Sequence, residues 1–237
     1  MTTITKVLVG LITGLLLVSC NLNIGVKGNG NVQTKTRTVN GSFDAIEVSR
    51  GLDVYLTQSE NENITVQADE NLHNIIKTEI EGGVLKIFSE KNISYSEARK
   101  VMVSFKDVTK ISASSGSDVY GTNHFTISDL ELSTSSGSDM TIKIDAETLD
   151  CSSSSGSDLT LTGKTESIKA NASSGSTIDA KNLIASTTEA SASSGADILV
   201  NTTKMLIAKA SSGGDITYYG NPEKIEKTDG VSGSIPN

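Results

Sequence analysis

A Ser-Ser-Gly step recurs six times between residues 112 and 216, ending at Gly116, Gly137, Gly156, Gly175, Gly195 and Gly213. The glycines are 21, 19, 19, 20 and 18 residues apart. A period this short, carried by strand-like alternation around a fixed turn, predicts a β-solenoid in which each repeat is one coil.

Aligning the repeats on the glycine gives columns. Five residues before it stand Ile111, Leu132, Cys151, Ala170, Ala190 and Ala208; seven before it stand Thr109, Leu130, Leu149, Ile168, Thr188 and Leu206. These positions share parity and point to one face of a strand, while the intervening Lys110, Glu131, Asp150, Lys169 and Glu189 point to the other. Past the turn, Val119, Met140, Leu159, Ile178, Ile198 and Ile216 begin a second inward-facing strand. Phe125, Ala146, Leu183 and Met205 are expected to fill a third, less regular side. The glycine supplies backbone conformations that a β-carbon disfavours. Ser115 and its equivalents share the inward parity, so their hydroxyls are expected inside. Cys151, in a column of Ile, Leu and Ala, reads as a small buried hydrophobe.

Residues 41–110 carry the same plan less regularly, and Ser49-Arg50-Gly51-Leu52-Asp53-Val54 echoes the later corners. Glu81-Gly82-Gly83 reads as a hairpin turn between Ile76–Ile80 and Val84–Phe88. Residues 20–40 read as a tether, residues 111–219 as the regular coils, and residues 220–237 as a cap over the open edge of the last coil.

The N-terminus reads as an export signal over residues 1–19. Lys6 precedes the apolar run Val7–Val18, which is too short to span a bilayer comfortably, and Leu17-Val18-Ser19-Cys20 matches a lipobox. Cys20 is therefore the expected lipidation site, with the chain exported and held at the cell envelope, on the outer membrane, by acyl chains. Cys151 is then the one remaining cysteine, which excludes an intramolecular disulfide. The net charge of −8 argues against nucleic acid as a partner.

The sharpest chemical signal is an acidic column two residues past the glycine: Asp118, Asp139, Asp158, Asp197 and Asp215, interrupted by Thr177. Carboxylates stacked at strand spacing repel by ~0.9 kcal/mol per neighbouring pair even at the dielectric of water. The favoured reading has each accept hydrogen bonds from the turn; the rival reading has the column bind calcium, as Gly-x-Asp repeats of β-rolls do. Asp139 and Asp158 could pair as the carboxylates of a polysaccharide-active enzyme, but repetition in successive coils points to a structural rule. His73 and His124 sit in no metal or triad spacing and read as surface or loop residues. GxSxG, P-loop and HExxH motifs are absent, as is Trp, and Tyr218-Tyr219 is the one adjacent tyrosine pair. No catalytic residue and no cofactor are expected.

Gly28-Asn29-Gly30-Asn31-Val32, Phe43-Asp44-Ala45-Ile46-Glu47-Val48, Gly51-Leu52-Asp53-Val54, Asp69-Glu70-Asn71-Leu72 and the Ser-Gly-Ser-Asp corners occur in that order. In this combination the chain resembles the bacterial envelope family called putative autotransporter adhesin, head GIN domain. The resemblance covers nearly all of the chain beyond the signal. It implies a right-handed parallel β-helix with coils of about 19–20 residues, in an all-β lipoprotein. The expected function is a lipid-anchored, non-enzymatic module for adhesion or ligand binding, to glycan or protein, at the cell surface. A structural envelope component is the alternative, and a polysaccharide-active enzyme a more distant one.

Overall fold

The structure, a computed structural model, describes residues 25–230 and 232–236; the expected leader and Cys20 lie outside the described residues. Its organising element is the corner. At Ser115-Gly116 φ is 56° and 68°, a two-residue left-handed step that recurs at Ser136-Gly137, Ser155-Gly156, Ser174-Gly175, Ser194-Gly195 and Ser212-Gly213. Arg50-Gly51 makes the same step, with φ of 64° and 71°. Only the second residue is glycine, so each corner carries a strained non-glycine residue. The backbone ladder nevertheless crosses the bend: the Gly116 N–H donates to Ser136 O at 3.1 Å, and the Asp139 N–H donates to Ser117 O at 3.1 Å.

The left-handed pair also interrupts the side-chain alternation for one step. Ser115 and its equivalents, expected inside, are exposed, and the residue after the glycine is buried instead: Ser117, Ser138, Ser157, Ser176 and Ala196. The interruption is confined to the pair: Val119 and its equivalents, of the same parity as Ile111 and Ala113, are buried as a period of two expects.

Before the regular coils, the chain builds a cap. Strands β1 (Val26–Lys27) and β2 (Val32–Arg37) lead into β3 (Ala45–Val48), the Arg50-Gly51 corner and β4 (Asp53–Gln58). Strand β5 (Asn63–Asp69), a short 3-10 turn over Glu70–Leu72, and the hairpin β6 (Ile76–Glu81) and β7 (Val84–Ser89) follow. Strands β8 (Ile93–Tyr95), β9 (Arg99–Phe105) and β10 (Lys110–Ala113) bring the chain back to the stack. Strand β3 pairs in parallel with both β7 and β10, and β4 with β9, so β7 and β9 act as one coil below β3 and β4. Antiparallel strands then terminate the ladder: β6 on β7, and β5 on β9 with β2 beyond it. The expected tether is corrected here, because Val26–Lys27 and Val32–Arg37 within it are paired strands and not a free linker; β1 pairs with β8.

The regular coils are long bent strands, each running from corner to corner: β11 (Asp118–Ser135), β12 (Asp139–Ser154), β13 (Asp158–Ser173), β14 (Thr177–Ser193) and β15 (Asp197–Ser211). Neighbours pair in parallel, with Ile111, Leu132, Cys151, Ala170, Ala190 and Ala208 in one buried register column. Val119, Met140, Leu159, Ile178, Ile198 and Ile216 form a second. Each fully buried Leu, Ile, Val or Met side chain contributes about 1.5–3 kcal/mol. Thr109, expected inside, is exposed because β10 begins one residue later. Unequal coil lengths are absorbed away from the corners. The register shifts lie at Tyr120/His124, Thr160/Thr162, Ala180/Ile184 and Ala185/Thr187, while the equal coils β12 and β13 pair without a shift.

Strands β16 (Asp215–Tyr219) and β17 (Lys224–Asp229) complete the last layer, both parallel to β15. Ser234 then bridges Asp215, and Ile235 is buried. The tail thus extends the final coil and covers some of its edge.

Candidate functional site

Buried hydroxyls close the corners. Ser138 Oγ accepts from the Ser135 N–H at 3.1 Å and donates to Ala113 O at 2.8 Å; Ser176 Oγ accepts from the Ser173 N–H at 3.2 Å and donates to Ser153 O at 2.8 Å. In the coil between them Ser157 Oγ accepts from the Ser154 N–H at 3.2 Å and meets Thr134 Oγ1 at 3.1 Å and Ser153 Oγ at 2.9 Å. The hydrogen bonds expected of the aspartates are therefore made by serine, and the carboxylates are left to the surface. The serines on either side of the glycine share parity, so alternation alone does not distinguish this buried column from the exposed one.

The acidic column is a register ladder. Asp53, Asp118, Asp139 and Asp158 lie on successive strands, Thr177 interrupts, and Asp197 and Asp215 follow. Asp118 is half-buried and the later carboxylates are exposed. Burial, then the charges of Asp139 and Asp53, push the Asp118 carboxyl above its usual range, against the opposing pull of Arg99. Among the described residues no group of three or more His, Cys, Asp and Glu side chains converges as a metal cage would. Asp139 and Asp158 stand side by side in one column, not facing each other across a cleft.

Two residues further on, the outward column brings Tyr55 and Tyr120 together. Their rings stack with centroids 5.3 Å apart and planes 27° apart, and the Lys100 ammonium lies 5.6 Å from the Tyr55 centroid. The repeat alignment does not reach this pair. Extending the match of Gly51-Leu52-Asp53-Val54 by one residue places Tyr55 above Tyr120. Of the adjacent pair Tyr218-Tyr219, the first is buried under Lys227 and only the second is exposed.

A concavity of about 620 Å³ is a groove crossing the return side of successive coils. Ile127, Ala146, Thr165 and Ile184 are among its lining residues, with Asp145, Glu147, Lys164 and Glu166 supplying charge. Ile127 and Thr165 are buried, whereas Ile184 is 54% exposed. His124 Nε2 lies 3.0 Å from one Asp145 oxygen and Lys164 Nζ 3.4 Å from the other. Burial opposes ionisation of Asp145, but His124 and Lys164 together hold its carboxyl below the usual range. Ser133, Ser152, Asn171 and Ser191 form a polar register column that lines a second concavity of about 270 Å³.

Two buried groups serve the cap. The Asp69 carboxylate accepts N–H groups from Gly30 at 2.8 Å, Glu97 at 3.1 Å and Ala98 at 3.0 Å. Burial works against its charge, but these donors prevail and lower its pKa. A β-carbon on Gly28 would fall 2.1 Å from Asp69 Oδ2, which accounts for the Gly-Asn-Gly-Asn motif: the loop must pass close to this carboxylate. His73 takes the loop alternative of the expected surface or loop position, in the turn after Glu70–Leu72. It is buried, with Nε2 3.1 Å from Gln33 O, and burial, followed by Lys35 and Arg37, depresses its pKa. Cys151 is fully buried and its thiol pKa is pushed far up by burial, so it is chemically inert in the folded chain.

The model of a family described as "Putative auto-transporter adhesin, head GIN domain" matches residues 42–222. Among solved structures, a putative adhesin from Bacteroides fragilis superposes with a TM-score of 0.82 at 22% identity, over 90% of this chain and 100% of that one. A putative lipid binding protein from Parabacteroides distasonis gives 0.72 at 24% identity, over 89% of this chain and 98% of the other. A putative adhesin from Parabacteroides merdae gives 0.72 at 21% identity, over the same shares of each chain. At these identities the superpositions establish the shared fold. No curated protein matches the chain in sequence.

Proposed function

Because the chain belongs to the putative auto-transporter adhesin, head GIN domain family, we propose that it is a non-enzymatic, adhesin-like binding module displayed at the cell surface on a lipid anchor at Cys20. The observation that carries this reading is the outer face itself. Successive parallel coils present the same short polar or acidic side chain at strand spacing, so the surface is a repeating row and not a focused cleft. Asp139 and Asp158 repeat a position instead of forming a unique acid–base pair, which favours binding over catalysis. Such a row makes many weak contacts with a glycan or protein ligand, and several copies on one cell multiply them. A calcium role for Asp118, Asp139, Asp158, Asp197 and Asp215 would require neighbouring carboxylates to share an ion along the ladder.

Deletion and complementation in the native cell test the reading. Loss of the chain is expected to reduce attachment to glycan-coated and protein-coated surfaces and to leave envelope permeability unchanged. Unchanged attachment with a leaky envelope would replace adhesion with a structural envelope role. A melt with and without chelator tests calcium: on this reading the midpoint stays where it is.

A further inference from the structure

We propose that Tyr55 and Tyr120 form the platform of a carbohydrate-binding subsite that takes a neutral oligosaccharide. The inference rests on the reading of the chain as a ligand-binding surface module and names where, and to what chemistry, one subsite binds.

Met102, Tyr55 and Tyr120 occupy one outward register column on three adjacent strands, and the two rings stack. Tyr120 is 37% exposed, so part of its ring is available at the surface beside Tyr55. The column is a narrow apolar stripe with hydrogen-bonding groups on both sides. Lys100, Asp53 and Asp118 flank it on one side in the same register. On the other side lie Thr57 and Thr122, whose hydroxyls are 2.6 Å apart. A pyranose has the complementary shape: a flat C–H face for the rings and a rim of hydroxyls for the carboxylates and threonines.

The local charge favours a neutral ligand over a cation. Arg99 acts on the Asp118 carboxylate, and the Lys100 ammonium lies 5.6 Å from the Tyr55 ring centroid. The cation–π position and some of the acidic field are therefore already served by the protein's own side chains. A ligand cation would have to displace them, whereas sugar hydroxyls can donate to carboxylates that have no partner in the turn. The next residue in the column, Thr141, is exposed and small, so the platform ends there and can be lengthened.

The test uses the full chain and defined probes, namely the neutral hexasaccharides of glucose, mannose and N-acetylglucosamine, in titration calorimetry. At least one is expected to bind. Tyr120→Ala should weaken that binding about ten-fold or more, Tyr120→Phe should retain it within about three-fold, and Thr141→Tyr should tighten it. Ile225→Ala, at an exposed position on β17, should leave it unchanged. Binding that is indifferent to Tyr120→Ala, or no binding to any of the three, overturns the proposal. In either case cell attachment that still depends on the chain leaves the broader adhesin-like reading standing, and attachment independent of the chain sinks that reading itself. A concentration-dependent dimer that Tyr120→Ala abolishes would show the stripe to be a contact with a second copy, also overturning the sugar site.

Discussion

The hydroxyl of Thr57 lies 2.6 Å from that of Thr122, 65 residues further along the chain. The contact measures how closely the first coil and the regular coils share one register. Between them the chain leaves the stack, builds β5 to β9, and returns so that Asp53, Val54 and Tyr55 fall beside Asp118, Val119 and Tyr120. The cap is thus an excursion from one corner of the solenoid, and the outer columns run through it without interruption. That continuity creates the Tyr55–Tyr120 stripe.

Two carboxylates should move stability in opposite directions. Asp69 has a lowered folded pKa, so it contributes stability above the unfolded carboxylate value, and that contribution is lost as pH falls through the folded value. Asp118 has a raised folded pKa, so its ionised form costs stability, and the cost disappears as pH falls through the raised value toward the unfolded one. At neutral pH, Asp69→Asn should lower stability by about 2–3 kcal/mol through lost charge-assisted hydrogen bonds, whereas Asp118→Asn should raise the melting midpoint. Denaturant titrations of both variants at neutral and mildly acidic pH check the signs.

Glycine substitutions should separate conformational strain from collision. Gly156 has φ of 67° and open space where a β-carbon would stand, so Gly156→Ala should cost about 1–2 kcal/mol from the left-handed backbone alone. Gly163 adds a collision to its own positive φ of 124°: its β-carbon would lie 2.0 Å from Ile144 O, in the middle of the parallel ladder. Gly163→Ala must push β12 and β13 away from each other and should cost well over about 3 kcal/mol or prevent folding. Equal effects in thermal melts would contradict the corner geometry.

The hydroxyls of Ser153 and Ser157 should be coupled. Each lies 2.9 Å from the other inside the corner, within a cluster that includes Thr134. Either single Ala variant removes hydrogen bonds from this buried cluster and should cost about 1–2 kcal/mol. The double variant should cost less than the sum, because the fifth corner already carries Ala192 and Ala196 at the equivalent positions. A double-mutant cycle in urea measures the coupling, and strict additivity would show that the hydroxyls act independently.

The solenoid is legible in the sequence because its inner columns obey a single period: Ile111 through Ala208 align on the glycine as they do in register. The hairpin at Gly82-Gly83 is legible from its turn residues, and both have positive φ. What the sequence hides depends on geometry that no local pattern carries. Parity gives Ser155 and Ser157 the same facing, but the left-handed Ser155-Gly156 step turns Ser155 to solvent and leaves Ser157 inside. The pairing of β2 with β5 is antiparallel and long-range, so residues 26–37 look like a tether. In the candidate site, the Asp column is visible as a repeat, but the groove is not. It exists because Asp145, Lys164 and Ile184 come from different coils at the side where coil length varies. Tyr55 and Tyr120 meet only once the long excursion between their corners is closed.

Display at the cell surface is the claim on which the adhesin-like account depends, and it has a direct measurement. Antibody against residues 25–237 is applied to intact cells and to lysed cells, with a periplasmic protein as the control for leakage. The account predicts strong labelling of intact cells that leave the control unlabelled. Labelling that appears only after lysis would contradict it and leave an internal, structural role in the envelope.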